Sequence, residues 1–418
     1  MVVTLAESVD AIVVGAGPAG TNAAIRTASA GLKTIIFEEH QEVGVPVQCG
    51  EGVSKRLLEY HKIDYKNADF VDIHLPSQKF FFSGKNESGD WDMQKYMMLS
   101  GYQTFLLNRT KFDQSFAKDA MAKGAEIRTS SKVSNLIIDN HGVEATVRSV
   151  SGSAPYTVKA KVVVAADGPA ARIGKQNGLS VPSKYVHAVE WVVDGKWTDS
   201  LDFYFDHDLT PYGYSWVFPK KDYSKIGLCC RQVYEPAPRL EKLMERFEKR
   251  FGTTFKKRHL IGGLIPAEEK LPEKTYGNRL LVVGDAGGFT NPFFYGGISV
   301  AVLTGRLAGD TIAKVAEKDS DFGEEKLSRF QDKWRREPSF NPVIYEGRNL
   351  FYKEFTQENL EVMGNFAQFE KVGKVTGIPW IREQILTAKA FLDHDIRKNW
   401  RKYKKVVAGM SISGQWGF

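Results

Sequence analysis

The sequence predicts an α/β protein in which a Rossmann-like dinucleotide-binding domain is interleaved with an antiparallel-sheet domain and followed by a C-terminal helical region. Three observations predict it. A glycine-rich turn joins an apolar strand to an alanine-rich helix near the start of the chain. Two more apolar strands, each ending in an Asp/Gly pair, return at residues 161–172 and 279–298. The segments between alternate with strand period, and beyond about residue 300 the period becomes helical. At 418 residues, 42% hydrophobic and 26% charged, the chain is globular with room for two or three domains.

The first element is the strand from Ala11 to Val14, followed by Gly15-x-Gly17-x-x-Gly20, a helix, Gly31 and a second strand ending at Glu38. Gly15 permits the tight turn and Gly17 lets the backbone approach a pyrophosphate. Gly20 allows close helix–strand packing, and the helix start around Ala19 offers amide dipoles. Glu38 stands where a carboxylate accepts from a ribose 2′-hydroxyl and would repel a 2′-phosphate, so the site suits FAD or NAD rather than NADP.

The later strands choose FAD. One ends in Asp167-Gly168 and the other in Gly284-Asp285, with small residues and a helix from Gly297 onward. That arrangement suits a ribityl hydroxyl held by Asp285, with the Gly297 and Ile298 amides near a flavin ring. These motifs, in this order and separation, resemble the flavoprotein superfamily that contains the aromatic hydroxylases. "LNRTKFDQSF" (107–116) resembles its Arg-x-x-Phe-Asp segment. The resemblance implies that Arg109 contacts FAD, that Val133 lies by the adenine and that Asp113 is structural.

After the second strand, Cys49-Gly50-Glu51-Gly52 forms a loop that can pass close to a planar ligand without side-chain obstruction. In "PYGYSWVFPK" (211–220) the residues Tyr214, Trp216 and Phe218 project from one strand face. "PVQCGEG", "YSWVFP" with Gly227 behind it, and "LVVGD" together resemble the geranylgeranyl reductase family, in particular the digeranylgeranylglycerophospholipid reductases. One departure stands at Cys229, where that family has glycine, which puts the shape of the pocket floor in question. The resemblance implies that Cys49, Gly50 and Gly52 contact the flavin and that Tyr214, Trp216 and Phe218 line a substrate cavity beside it. Phe203 and Phe205 on the preceding strand would extend the apolar channel. A polyprenyl chain offers no hydrogen bonds, so aromatic and apolar surface must bind it. Reduction of an isolated alkene builds cationic character as hydride arrives, which the faces of Tyr214 and Trp216 stabilise. The proton comes from Cys49, Glu51 or water, with Cys49 favoured.

The expected division is 1–68, 101–184 and 271–320 for FAD binding, 69–100 and 185–270 for the substrate sheet, and 321–418 for the C-terminal helical region, where Pro379 starts a helix. Three cysteines are too few for a disulfide framework, the N-terminus carries no signal-peptide pattern and no run spans a bilayer. A cytoplasmic protein is expected, with no metal site. The net charge of +7 favours anionic partners, and without zinc-finger or RNA-recognition patterns nucleic acid ranks last. "RKNWRKYKK" (397–405), with Trp400 and Tyr403 on one helical face, reads as a docking surface for acidic headgroups on the inner face of the cell membrane. The electron donor would be external, a reduced nicotinamide or a ferredoxin, because no second dinucleotide motif is present. The competing readings are a flavin monooxygenase or halogenase on the same fold, and a prenyl-binding carrier without redox chemistry.

Overall fold

The structure is a computed structural model that describes residues 7–85, 91–92, 96–150, 152–369 and 394–416. Three short runs, Ala11–Val14, Thr34–Phe37 and Val162–Ala165, are apolar at every position but Thr34 and buried on both faces, the pattern of central parallel strands. They pair in parallel in a six-stranded sheet ordered Tyr276–Gly277, Leu280–Val282, Val162–Ala165, Ala11–Val14, Thr34–Phe37 and Glu126–Arg128, with only the first pair antiparallel. A four-stranded sheet containing Ser131–Ile138 and Val143–Ser149 closes over one face through Val143, Ala145 and Val147.

On the other face the helix Pro18–Ser29 lies against Ile298–Ala316. Glycine sets their separation: a Cβ at Gly305 would stand 2.1 Å from the Ala19 carbonyl oxygen, and one at Gly309 2.5 Å from that of Ala23. The second helix therefore fixes where the first begins, and with it the glycine-rich turn.

The second large sheet has eight strands, ordered Lys257–Pro266, Tyr185–Asp194, Tyr223–Arg231, Ser215–Pro219, Leu201–Phe205, Val71–Phe82, Tyr96–Leu107 and Gly52–Ser54. It departs from the expected antiparallel sheet at one place, where Leu201–Phe205 runs parallel to Val71–Phe82. The reason is connectivity. The chain leaves this sheet at Leu107, passes through the other two sheets and returns at Tyr185, and such a crossover permits parallel pairing. The sheet also takes in Gly52–Ser54 and runs to Leu107, both beyond the residue ranges expected for it.

One face of this sheet carries Pro236–Phe251, whose Leu240, Leu243 and Phe247 pack on Tyr204, Val217 and Leu228. The opposite face carries the aromatic cluster described below, backed by Pro342–Lys353 and His394–Trp416. Among the described residues no helix is long and apolar enough to cross a membrane. The helix start expected at Pro379 lies outside the described residues.

Candidate active site

Two cavities meet in the crevice between the sheets, one of about 580 Å³ and one of about 350 Å³. They share Gly17, Cys49, Arg109, Ala166 and Gly168 as lining, so the site has two continuous lobes.

The larger lobe is built by the first motif. Gly15 sits at φ +100° with Ala166 behind it, and a Cβ there would stand 2.3 Å from the Ala166 carbonyl oxygen. Gly17 has nothing within 4 Å of where its Cβ would be, which leaves the amide end of Pro18–Ser29 open to the lobe. Gly20 lies beneath the turn, against Gly15, and does not line either cavity. The Glu38 carboxylate accepts the Ala16 N–H at 2.8 Å and faces the lobe with Val133. Asp167 Oδ1 is buried in the lobe wall with no hydrogen-bond partner among the described residues. An open glycine turn, an unpartnered buried carboxylate oxygen and an acid at the ribose position fit FAD.

At the junction, Arg109 donates through Nε (3.1 Å) and Nη2 (2.9 Å) to the Asp113 carboxylate. Burial opposes its charge, but Asp113 and then Cys49, both hydrogen-bonded to it, raise its pKa. Asp285, beside Gly297, is pushed up to about 6 by burial, against the pull of Arg109.

The smaller lobe is the apolar one. Tyr214, Trp216 and Phe218 line it in a row, with neighbouring ring centroids 5.8 Å apart at each step. Gly227 makes room for the indole, because a Cβ there would stand 2.5 Å from Trp216 Cζ2. Gly50 packs directly on Phe218, 2.8 Å from ring Cε2 to a built Cβ, so the Cys49 loop touches the wall. Cys229 lies on the same strand face as Gly227 and also lines the lobe.

Phe203 and Phe205 correct the expectation. They line neither cavity and are fully buried beside the wall, on the next strand of the same sheet face. Phe203 packs on Tyr214 and Phe218, and Phe80, its partner in register on the next strand, stacks on its other side. The reason is what covers this part of the face: Phe294 packs on both rings, and Phe351 of Pro342–Lys353 packs on Phe205. Tyr214 contributes only its ring face, since its hydroxyl donates to the Phe294 carbonyl oxygen and burial raises its pKa further.

Beside the wall, on the same sheet face, runs a buried ion network that the motif reading missed, and its Glu190 and Glu51 also line the smaller lobe. Trp216 Nε1 donates to Glu190 Oε2 at 3.0 Å, and Lys225 Nζ lies 3.3 Å from Glu190 Oε1. Lys225 also reaches Glu51 at 2.8 Å and the Cys49 carbonyl oxygen at 2.7 Å. Lys220 meets the same Glu51 carboxylate at 3.0 Å, and Glu51 accepts the Arg109 N–H at 2.9 Å. Burial works against its charge, yet Lys225 and Lys220 hold Glu51 below the usual carboxylate range. Glu51 is therefore ionised and is not a proton donor. Its backbone, at φ +69°, turns its own N–H onto Cys49 Sγ at 3.2 Å. The only sequence signal for this network was a charge inside each of two apolar strands, "HAVEWVV" and "KIGLCC".

The expected membrane-docking face is also corrected. Tyr403 is buried against Phe355 (5.0 Å) and its hydroxyl accepts from Asn359, because that side of the helix packs on Pro342–Lys353. Trp400 packs beside it against the same core.

Residues 8–210 match the family described as an FAD binding domain. A digeranylgeranylglycerophospholipid reductase from Methanococcoides burtonii is 32% identical over 360 residues, covering 82% of this chain and 83% of that protein. A geranylgeranyl bacteriochlorophyll reductase-like structure from Thermoplasma acidophilum superposes with TM-score 0.76 at 25% identity, covering 86% of this chain and 91% of the other. A flavin-dependent brominase superposes at TM-score 0.67 with 18% identity over 91% and 92%, which shows the fold alone.

Proposed function

The chain belongs to the family of digeranylgeranylglycerophospholipid reductases, and from that premise we propose that it is an FAD-dependent reductase saturating isolated C=C bonds of geranylgeranyl chains in archaeal-type membrane lipids. The observation that carries this reading is the continuity of the lobes: the aromatic wall ends at Cys49 and Gly50, where the dinucleotide lobe begins.

The glycine turn, Glu38, Arg109 and Asp285 would hold FAD, which when bound and reduced by an external nicotinamide or ferredoxin would supply hydride chemistry to the lobe. Tyr214, Trp216 and Phe218 bind the polyprenyl chain, each buried methylene contributing roughly 0.8 kcal/mol, and they exclude water. Their faces stabilise positive charge developing on the alkene by up to about 2 kcal/mol. Cys49 gives a proton from Sγ to the carbon, and the sulfur left behind faces the Glu51 N–H and Arg109. The ion network of Glu190, Lys225 and Glu51 beside the wall keeps Trp216 and the Cys49 loop in register. The protein works from the membrane surface, where its substrate resides.

The test is anaerobic incubation of the purified yellow protein with a chemical reductant and a digeranylgeranylglyceryl lipid, followed by mass spectrometry. The expected result is a gain of two hydrogens per double bond. An unchanged lipid, or a product carrying oxygen or halide when air is admitted, overturns the reading.

A further inference from the structure

One end of the aromatic wall abuts a cluster of charges that the chemistry above does not use. Gly227, Cys229 and Arg231 alternate along one strand, so Arg231 shares the face on which Cys229 lines the apolar lobe. The Arg231 guanidinium stacks 3.9 Å over Tyr212. It also hydrogen-bonds the Glu269 carboxylate, as does Lys184. Lys353 reaches the same carboxylate at 2.6 Å, and Arg348 Nη1 lies 3.7 Å from it. Four cations thus converge on one acid.

The neighbouring Glu268 is taken up by Ser183 and by the Ser183 and Lys184 amides, which leaves the group positive even if its charge is included. Arg348 is fully buried, and its Nε has no acceptor among the described residues. Arg348 Nη2 contacts the hydroxyl of Tyr295 at 3.5 Å, and Tyr295 lines the apolar lobe and stacks on Tyr214. Lys184 and Lys353 open the cluster to solvent, with side chains 42% and 38% exposed. A single tyrosine layer separates this cationic group from the end of the greasy channel.

Taking the apolar lobe as an isoprenoid-lipid site, on which this rests, we infer that Arg231, Lys184 and Lys353 form the subsite for the anionic phosphate at the head of the lipid. An amphiphile with a phosphorylated end needs cations where its apolar part stops, and guanidinium and ammonium groups already gathered around a carboxylate can share their remaining donors with phosphate oxygens. Arg348 and Glu269 hold the three in place from behind.

Quenching of tryptophan fluorescence in the full FAD-loaded chain tests the subsite with two probes, geranylgeranyl phosphate and the neutral alcohol geranylgeraniol. In the surface variant Lys184→Gln/Lys353→Gln, and separately in Arg231→Gln, the Kd for the phosphate is expected to rise about tenfold or more, the loss of a charge-assisted contact, while the Kd for the alcohol stays unchanged. The alcohol arm also reports whether each variant is folded. Inorganic phosphate is expected to compete with the phosphorylated lipid and not with the alcohol. Equal weakening of both lipids, no weakening of either, or inorganic phosphate acting on both alike overturns the assignment. A wild type that binds the alcohol without preferring the phosphate sinks this subsite alone. One that binds neither sinks the reading of the cavity and the subsite with it.

Discussion

Glu190 shows how one residue joins the binding wall to the chemistry. Its carboxylate takes the Trp216 indole N–H on one oxygen and faces Lys225 with the other, and Lys225 in turn holds the Cys49 carbonyl. Burial raises its pKa and Lys225 opposes that rise. Glu190→Gln keeps an acceptor for the indole but removes the charge, so the fold is expected to hold while kcat falls. Glu190→Ala strands the indole N–H and is expected to cost about 1–3 kcal/mol in chemical denaturation. The double variant Glu190→Gln/Trp216→Phe separates the two effects: if the charge acts through the indole, the substitutions are not additive in kcat. Cys49→Ala is expected to lower kcat by a hundredfold or more at unchanged flavin content, the usual scale of a lost proton donor. Full activity would remove Cys49 from the reaction. Asp285 makes a prediction in pH. Its carboxyl titrates near 6 in the fold against an ordinary value of 3.8, so the folded chain holds this proton more tightly than the unfolded one. The resulting stability is complete below about pH 4 and is lost as pH rises through 6, on the order of 3 kcal/mol for the FAD-free protein. Denaturation of the FAD-free wild type and of Asp285→Asn across pH 4–7 checks it, the variant showing the flatter profile.

Between elements, the glycines of Ile298–Ala316 place the cofactor's helix. A methyl at Gly305 meets the backbone oxygen of Ala19, which cannot rotate away, so the two helices must separate. Gly305→Ala is expected to cost about 1–3 kcal/mol and to weaken FAD binding together with it, because Ala19 lies in the turn that frames the lobe. Flavin fluorescence on dilution measures the release. The elements themselves were largely legible in the sequence wherever their determinants are contiguous: the glycine turn, the strand ending at Glu38 and the alternation of Tyr214, Trp216 and Phe218 each state their geometry within ten residues or so. What was not legible depends on pairing across the sheet. Phe203 and Phe205 alternate just as Tyr214 and Trp216 do, and only the distant Phe294 and Phe351 packed on them decide that they are closed off beside the wall. Glu190, Lys225 and Glu51 come from three distant segments, and a charge in an apolar strand says that a partner exists without saying which.

For the whole molecule the net charge of +7 matters through its placement. One concentration is the Arg231, Lys184 and Lys353 cluster at the end of the wall, and another is the helix His394–Trp416. On that helix Lys402 and Lys405 are drawn to Glu354 and Glu346, and Tyr403 is buried, so the aromatic half of the expected docking face is turned into the protein. Arg397, Arg401 and Lys404 stay exposed. Docking through this helix would then be electrostatic, without an inserted aromatic anchor. Three basic residues near an acidic bilayer contribute about 3 kcal/mol together, a factor of roughly a hundred in partitioning at low ionic strength. Screening should abolish most of it in high salt, where a hydrophobic insertion would persist. Flotation with acidic vesicles checks both parts. Arg397→Gln/Arg401→Gln/Lys404→Gln is expected to remain in the aqueous fraction with unchanged thermal stability, and the wild type to leave the vesicles as salt is raised. Vesicle binding that survives both the substitutions and high salt would place the membrane contact elsewhere, and the exposed Leu260 and Leu264 on the strand that edges the apolar lobe would be the next surface to substitute.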